Sequence, residues 1–167
     1  MKRILTSLII LCSLILLQGC QLFKETGNSS NGNKIGTKKA KEVMLKNTNK
    51  SGVKSFTLSN LDSKSLSKDD TKQLNAVARE IKAMGKCQVT VIGHADNTGT
   101  SEVNESVSAK RAKLVADYLK QKGVSNITTS WESYNHPVAG NDTASGRAKN
   151  RRVEIFVSTV GKYNPYK

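Results

Sequence analysis

Two oppositely charged residues, Asp96 and Arg111, stand where they could form one binding site. Asp96 lies in the segment GHADNTG at 93–99, directly after a strand-like run. Arg111 lies in the segment NESVSAKRAKLVADYL at 104–119, whose apolar spacing predicts a helix. At one pocket mouth, a carboxylate can bind the ammonium group of a zwitterion while a guanidinium binds its carboxylate. The pair therefore indicates ligand binding rather than bond breaking.

A second pattern places three polar side chains on one face of the predicted helix. Asn104, Ser108 and Arg111 occupy positions i, i+4 and i+7, which lie along one side of a helix. This face can be directed towards the loop that carries Asp96, and N–H groups at the helix start would add donors for a carboxylate. The alternative is a structural ion pair, in which Asp96 and Arg111 only tie the loop to the helix.

A basic cluster formed by Arg147, Arg151 and Arg152 precedes the last strand-like run. One interpretation is a solvated face, or a set of bonds to loop carbonyls. The other is that Arg151 orders the binding loop or contacts carboxylates of the ligand. We assign supporting roles at the site to Asn97, Ser108 and Arg151.

Nothing in the sequence indicates a metal centre or a catalytic group. His94 and Asp96 could be imagined as two metal ligands, but the chain has 2 His in all, and no further Cys or carboxylate completes a set around His136. A Ser, His and acid arrangement and a glycine-rich phosphate loop are both missing. We therefore predict no metal, no cofactor and no enzymatic activity.

The elements that must position these residues alternate along the chain. Strand-like runs lie at 53–58, 87–92, 127–131 and 153–157, and helical patterns lie at about 70–84, 103–119 and 143–149. Ser67 or Asp69 can cap the first helix, and Gly85 can end it. This order predicts an α/β fold (an α+β sandwich) in which two main helices and a short third helix cover a mixed sheet. The strand order stays open.

The N-terminal residues have the pattern of an export signal. Lys2 and Arg3 precede an apolar run at 4–17 that ends in Leu-Gln-Gly-Cys20, which resembles the lipobox of a bacterial lipoprotein. We predict a signal peptide at 1–19, a lipidated Cys20 with a flexible linker at 20–52, a folded domain at 53–160 and a tail at 161–167. The alternative is an ordinary cleaved signal. Such a linker would have a root-mean-square span of roughly 30 Å and a taut reach of roughly 100 Å.

The charge of the chain limits its partners. Loss of Lys2 and Arg3 would lower the 27 Lys and Arg to 25, against 13 Asp and Glu, for a net charge of +12. Such a charge favours polyanions, and export favours an envelope polymer or a membrane surface over nucleic acid. Of the 3 Cys, Cys87 alone falls within the predicted domain. An internal disulfide is therefore not expected, and the domain must depend on its apolar core.

Taken together, the motifs resemble the OmpA-like C-terminal domain that binds peptidoglycan, over residues 54–158. The matching segments are VIGHADNTG at 91–99, Asn104 and Ser108 with Arg111-Ala112, PVA at 137–139 and GRAKNRRVEI at 146–155. With the lipobox, the chain resembles the peptidoglycan-associated lipoproteins of the Gram-negative outer membrane. Two departures are Ala95, where the family usually has Thr, and the stretch Trp131-Glu-Ser-Tyr134, where it is usually Gly-rich.

The resemblance implies a binding function. By position, Asp96 and Arg111 match the residues that bind the diaminopimelate of the peptidoglycan stem peptide, and Asn104 matches a pocket asparagine. The implied partners are peptidoglycan, the membrane through the N-terminal lipid and other envelope proteins, with no nucleic acid. The implied location is the outer membrane, with the domain facing the periplasm. Two alternatives are an adhesion module that binds a protein or polyanion through its basic surface, and a wall-processing hydrolase.

Overall fold

A computed structural model describes the backbone of Met44–Lys46 and all of residues 52–167. The strands are β1 (Met44–Lys46), β2 (Val53–Ser59), β3 (Gln88–Gly93), β4 (Ile127–Trp131) and β5 (Arg152–Ser158), and the helices are α1 (Lys68–Ala83), α2 (Ser101–Gln121) and α3 (Ala144–Asn150). The predicted elements in the domain are confirmed to within a few residues. None of the helices in the described ranges is both long and apolar enough to cross a membrane.

The strands form one mixed sheet in the order β1-β2-β5-β3-β4. β3 and β4 run parallel and are connected by α2, whereas the other pairs are antiparallel. The pairing aligns Ser59 with Arg152, and Gly93 with both Val153 and Trp131. We call this end of the sheet the loop edge, because the segments that follow Ser59, Gly93 and Trp131 leave the sheet there. The predicted α/β fold with a helix-covered mixed sheet is confirmed.

The core lies between the sheet and the two long helices. Alternate strand residues such as Phe56, Val91 and Ile155 are at most 1% exposed and face this core. The helices contribute core residues spaced by three and four: Leu74, Val77, Ala78, Ile81, Ala112, Val115, Ala116 and Leu119. The α1 members are those its periodicity predicted, whereas on α2 the apolar pattern also included Val103, which is 51% exposed. Cys87 packs at the margin of this core, and burial raises the pKa of its thiol. This packing fixes α2, and with it Arg111, against the sheet.

Local bonds explain where the helices begin and end. Ser67 caps α1 by accepting a hydrogen bond from the backbone N–H of Asp70, while the Asp70 carboxylate accepts one from the Ser67 N–H. Thr100 caps α2 in a similar way through the N–H of Val103. Gly85 follows α1 with a φ of 74°, a left-handed conformation that glycine adopts at little cost.

The C-terminal residues, expected to form a tail, pack back onto the sheet. Tyr163 and Tyr166 contact a small cluster of Val53, Ile92 and Phe156 on the face opposite the main core. The short strand β1 lies within the predicted linker, and its backbone pairs with β2. The sheet therefore begins before the predicted boundary at residue 53. The predicted signal peptide, Cys20 and most of the linker lie outside the described residues.

Candidate functional site

The loop after β3 holds Asp96 at the loop edge, with 8% of the residue exposed. Asp96 Oδ1 accepts a hydrogen bond of 3.0 Å from the backbone N–H of Thr98, which closes a tight turn. Asp96 Oδ2 accepts one of 2.9 Å from Arg151 Nη1. A carboxylate has about four lone-pair sites, so Asp96 can still accept bonds from a ligand.

Arg111 reaches from α2 to the same end of the sheet. Its Nε donates to the carbonyl of Leu61 at 2.9 Å, and its Nη1 donates to the carbonyl of His94 at 3.1 Å. His94 stands two residues before Asp96, so Arg111 is bonded directly to the loop that carries the carboxylate. Within residues 52–167, Nη2 of Arg111 makes no hydrogen bond, and three of its five N–H donors remain available.

A cleft of about 430 Å³ opens beside these side chains. Its lining residues are Asn60, Leu61, Asp62, Ser63, Arg111 and Arg151. Two guanidinium groups and the exposed carboxylate of Asp62 line the cleft, and Asp96 lies behind Arg151, to which it is bonded. The cleft and the residue bonded behind it thus bring together two positive and two negative charges, and groups of both signs can complement a zwitterion.

The pKa shifts report how these charges affect one another. Burial raises the pKa of Asp96, but the hydrogen bonds from Arg151 and Thr98 outweigh it and hold the pKa below its ordinary value of 3.8. Burial and the charge of Arg151 lower the pKa of Arg111, whereas the charges of Asp96 and Asp62 raise it. Both groups remain ionised at neutral pH, and Asp96 and Arg111 are close enough to interact electrostatically.

The other predicted site residues on α2 are placed as their spacing indicated, but with different surroundings. Asn104, Ser108 and Arg111 are all buried on the inward face. The Ser108 hydroxyl donates to the carbonyl of Glu105 at 2.9 Å, inside its own helix. Among the described residues, Nδ2 of Asn104 is buried and has no hydrogen-bond partner. Asn97, predicted as a supporting residue, is exposed at the loop tip.

α2 can lie this close to the loop because residue 93 is glycine. A Cβ built on Gly93 would lie 1.9 Å from the backbone oxygen of Ser108, far inside contact distance. Only glycine permits this approach of helix to strand. The glycine at the start of the GHADNTG segment therefore sets the position of Arg111 relative to Asp96.

The three arginines of the basic cluster have different surroundings in the structure. Arg147 donates to the carbonyls of Asn141 at 2.7 Å and Asp142 at 3.3 Å, as the interpretation of bonds to loop carbonyls predicted. Arg151 is the direct partner of Asp96. Arg152 is 1% exposed. The three arginines do not form one continuous basic surface.

A buried polar network supports the loop from behind. Arg152 Nε donates to Glu154 Oε1 at 2.8 Å, and Tyr166 Oη donates to Glu154 Oε2 at 2.8 Å. The His94 ring is fully buried 3.6 Å from Glu154, beyond hydrogen-bond distance, and meets the Tyr166 ring edge-on at 5.5 Å. Its backbone, rather than its ring, bonds the loop: His94 N donates to the Arg152 carbonyl at 2.9 Å. His94 therefore orders the loop through its main chain.

The pKa values of three groups in this network are shifted from their ordinary values. Burial opposes ionisation of Glu154, yet the neighbouring His94 and Arg152 lower its pKa to about 2. Burial, with the charge of Glu154, raises the pKa of Tyr166 to about 12. Burial lowers the pKa of His94. At neutral pH the network therefore consists of an ionised carboxylate held by a guanidinium and a phenol.

Sequence reasoning missed Asn60 as a site residue. Its Oδ1 accepts a 3.0 Å hydrogen bond from Arg151 Nη2, so Arg151 joins Asn60 to Asp96. Asn60 has a φ of 55°, a left-handed conformation that Asn adopts more readily than most residues. An Asn directly after a predicted strand is a signal for such a turn. It does not reveal that the Asn60 side chain accepts a bond from Arg151. No group of three His, Cys, Asp or Glu in the described ranges is arranged to hold a metal ion.

The chain is similar in sequence to proteins of the bacterial envelope. The chain is 48% identical over 99 residues to peptidoglycan-binding protein ArfA of Mycobacterium tuberculosis, covering 58% of this chain and 30% of that protein. It is 36% identical over 94 residues to the outer-membrane lipoprotein YfiB of Pseudomonas aeruginosa, covering 55% of this chain and 56% of that protein. The chain thus spans about a third to a half of these relatives.

Solved structures and a family match complete the comparison. The cell wall anchor of the T6SS from Pseudomonas aeruginosa superposes with a TM-score of 0.60 at 32% identity, covering 70% of this chain and 87% of that one. The OmpA family matches residues 60–151, which is more than half of the chain and includes every residue of the cleft. The chain belongs to the OmpA family.

Proposed function

We propose that this protein binds peptidoglycan without a covalent bond, by holding the diaminopimelate of its stem peptide in the cleft between α2 and the loop edge. One observation carries the proposal: Arg111 donates to the carbonyl of His94, two residues before Asp96. This bond brings a cation and an anion to one site. The names of the relatives, a peptidoglycan-binding protein and a cell wall anchor, support the same function.

The chemistry of the ligand matches the groups that remain free. Beyond its peptide links, diaminopimelate carries an ammonium and a carboxylate on one carbon. The unused N–H donors of Arg111 can bind the carboxylate in a fork, and the unused lone pairs of Asp96 can accept the ammonium. The amide of Asn104 is a further donor. Arg151 keeps Asp96 ionised and fixed in place. The entropic cost of ordering the Asp96 side chain on ligand binding is therefore small.

The energies of the expected hydrogen bonds indicate that a single site binds its ligand weakly. Each charge-assisted hydrogen bond contributes on the order of 1.5–3 kcal/mol when shielded from water. After the cost of association, a few such bonds correspond to a dissociation constant in roughly the micromolar to millimolar range. Repetition of the ligand along the wall strengthens retention through avidity. This pattern suits a protein that holds a polymer without cleaving it.

The proposal extends to the anchor. Cys20 would carry lipid in the outer membrane, and residues 20–52 would give the domain the reach to find the wall from the periplasmic side of that membrane. The lipobox-like end of the signal segment supports this arrangement, as does the similarity to an outer-membrane lipoprotein. The protein would then tether membrane to wall, and other envelope proteins could share the exposed surfaces of the domain.

Sedimentation with purified sacculi tests the function. We expect Asp96→Ala and Arg111→Lys to abolish co-sedimentation, the second because Lys retains the charge but loses the planar fork. Asp117→Ala and Arg79→Ala, which alter partly or fully exposed charges on the helices, serve as matched controls and should sediment as the wild type does. If both site variants remain in the pellet at wild-type levels, the cleft is not the binding site.

A further inference from the structure

Two aromatic side chains are unusually exposed near the loop edge. Trp131, at the end of β4, is 51% exposed, and Tyr134 is 40% exposed. Large aromatic rings in water are costly unless they contact a partner, and they are enriched where proteins bind ligands and other macromolecules. Neither side chain is needed to position the cleft residues described above. The exposure of these two rings is therefore not explained by the structure of the cleft.

The segment that carries these rings is bonded directly to the Asp96 loop. Ala95 N donates to the carbonyl of Ser133 at 2.7 Å, and Glu132 N donates to the carbonyl of Gly93 at 3.0 Å. A turn closed by the bond from Asn135 N to the Glu132 carbonyl, with Ser133 at a φ of 51°, fixes the segment. The aromatic segment and the Asp96 loop thus form one continuous structure.

The separation from the cleft matches the length of the ligand. Val153, Gly93 and Trp131 are aligned across three neighbouring strands, so two strand spacings, or roughly 10 Å, separate the start of β5 from Trp131. Diaminopimelate is the third residue of the stem peptide, and three extended residues span roughly 10 Å. A stem peptide whose diaminopimelate lies in the cleft and whose chain extends across the loop edge towards β4 would therefore bring its sugar close to Trp131.

We propose that Trp131 and Tyr134 form a second contact for the same polymer by packing against the pyranose rings of the glycan strand. The faces of these sugars present C–H groups, which pack on aromatic rings, while their hydroxyls stay in water. This inference rests on the proposed function, because the stem peptide in the cleft sets the position of the sugar. It assigns to the aromatic segment a specificity for the glycan-linked peptide over the free peptide.

Trp131 supplies its own probe, because the chain contains 1 Trp. The detergent-solubilised full chain is titrated with a disaccharide-tripeptide and, separately, with the tripeptide alone, both ending in diaminopimelate. We expect the disaccharide-tripeptide to shift the Trp131 fluorescence and to bind five- to tenfold more tightly, as estimated from about 1 kcal/mol of ring packing. The tripeptide should bind without this shift.

Variants separate the two contacts. Trp131→Ala and Tyr134→Ala should each reduce affinity for the disaccharide-tripeptide by about three- to tenfold and leave affinity for the tripeptide unchanged. Trp131→Phe should retain most of the preference. Val160→Ala, which alters another exposed apolar side chain, is the control and should change neither affinity.

The outcomes distinguish the two proposals. Equal wild-type affinity for the two ligands, or fluorescence that does not respond to the sugar, overturns the glycan contact while the peptide site stands, and would leave a protein partner as the occupant of the aromatic segment. Failure of both ligands to bind overturns the proposed function and the glycan contact together.

Discussion

Arg151 Nη1 donates a 2.9 Å hydrogen bond to Asp96 Oδ2, joining residues 55 positions apart in the chain. The carboxylate is therefore held and kept ionised before any ligand arrives. Among residues 52–167, the hydrogen bonds of Arg111 go to two backbone carbonyls, so its guanidinium keeps unused donors. In the proposed site the two arginines have different tasks: Arg151 orders the anion, and Arg111 supplies the cation.

The first prediction concerns this ordering role. Arg151→Ala should destabilise the protein by about 1 kcal/mol, because a partly exposed charged hydrogen bond is lost. It should also raise the pKa of Asp96 and weaken retention on sacculi less than Asp96→Ala does. Urea denaturation, a carboxyl-resolved NMR titration and sedimentation measure the three effects. An unchanged pKa of Asp96 would contradict the assigned role.

The same bond predicts a pH dependence. The pKa of Asp96 lies below 3.8 in the folded protein, so its bond with Arg151 stabilises the fold above that pH and is lost as the pH falls through the folded pKa. The difference in unfolding free energy between wild type and Arg151→Ala should therefore shrink as the pH falls below about 4. A difference that stays constant down to pH 2 would contradict this account.

The second prediction concerns the close approach of α2. Gly93→Ala should destabilise the protein by about 3 kcal/mol or more, because the added methyl group would lie 1.9 Å from a backbone oxygen that cannot rotate away. Gly123→Ala is a suitable control, since nothing lies within 4 Å of its added Cβ and only its φ of 82° is unfavourable. Urea denaturation should give the larger loss for Gly93→Ala. Equal losses would show that helix and strand can separate at low cost.

How far the sequence predicts this fold can be judged from particular elements. The apolar residues of α1 and its cap at Ser67 were recognisable, because helical periodicity and capping are local properties. The pairing of β1 was not, since three residues carry too little periodicity. The packing of Tyr166 on the sheet was not either, because a Tyr near a chain end gives no signal of what it contacts.

The candidate site, like the fold, was predictable from the sequence only in part. The inward face of Asn104, Ser108 and Arg111 followed from helical spacing and is confirmed by their burial. The choice of Arg151 as the partner of Asp96, from three nearby arginines, depends on long-range geometry that no local pattern encodes. Sequence reasoning therefore predicted Asp96, Arg111 and Arg151 as members of the candidate site, but it missed Asn60 and the bonds among these residues.

The third prediction concerns the C-terminal contact. Tyr166→Phe should destabilise the protein by about 1–2 kcal/mol, because the buried Glu154 carboxylate loses a donor. The pKa of Tyr166 is raised to about 12, so this stabilisation is present below about pH 10 and is lost as the pH rises through 12. Denaturation at pH 7 and pH 11 should thus give a smaller difference at pH 11. Tyr134→Phe, at a tyrosine that is 40% exposed, serves as the control.

The fourth prediction separates the cleft from attraction to the basic surface. Binding through the net charge, +14 for the full chain and +12 after loss of Lys2 and Arg3, would weaken steeply between 0.15 and 1 M salt, since the screening length falls from about 8 to about 3 Å. The bonds in the cleft are shielded, so sedimentation with sacculi should persist at 1 M salt. Complete release by salt alone would favour the alternative of a polyanion-binding module.

The most direct test of the central claim is competition for sacculi between diaminopimelate and lysine. The two amino acids are compared as the third residue of the stem tripeptide, where the α-amine is in a peptide bond. There diaminopimelate keeps an ammonium and a carboxylate on one side-chain carbon, whereas lysine keeps the ammonium alone. We predict that the diaminopimelate tripeptide displaces the wild-type protein and that the lysine tripeptide does not, while Asp117→Ala behaves as the wild type does. Equal displacement by the two tripeptides, or none by either, would contradict a site in which Asp96 and Arg111 together hold a zwitterion.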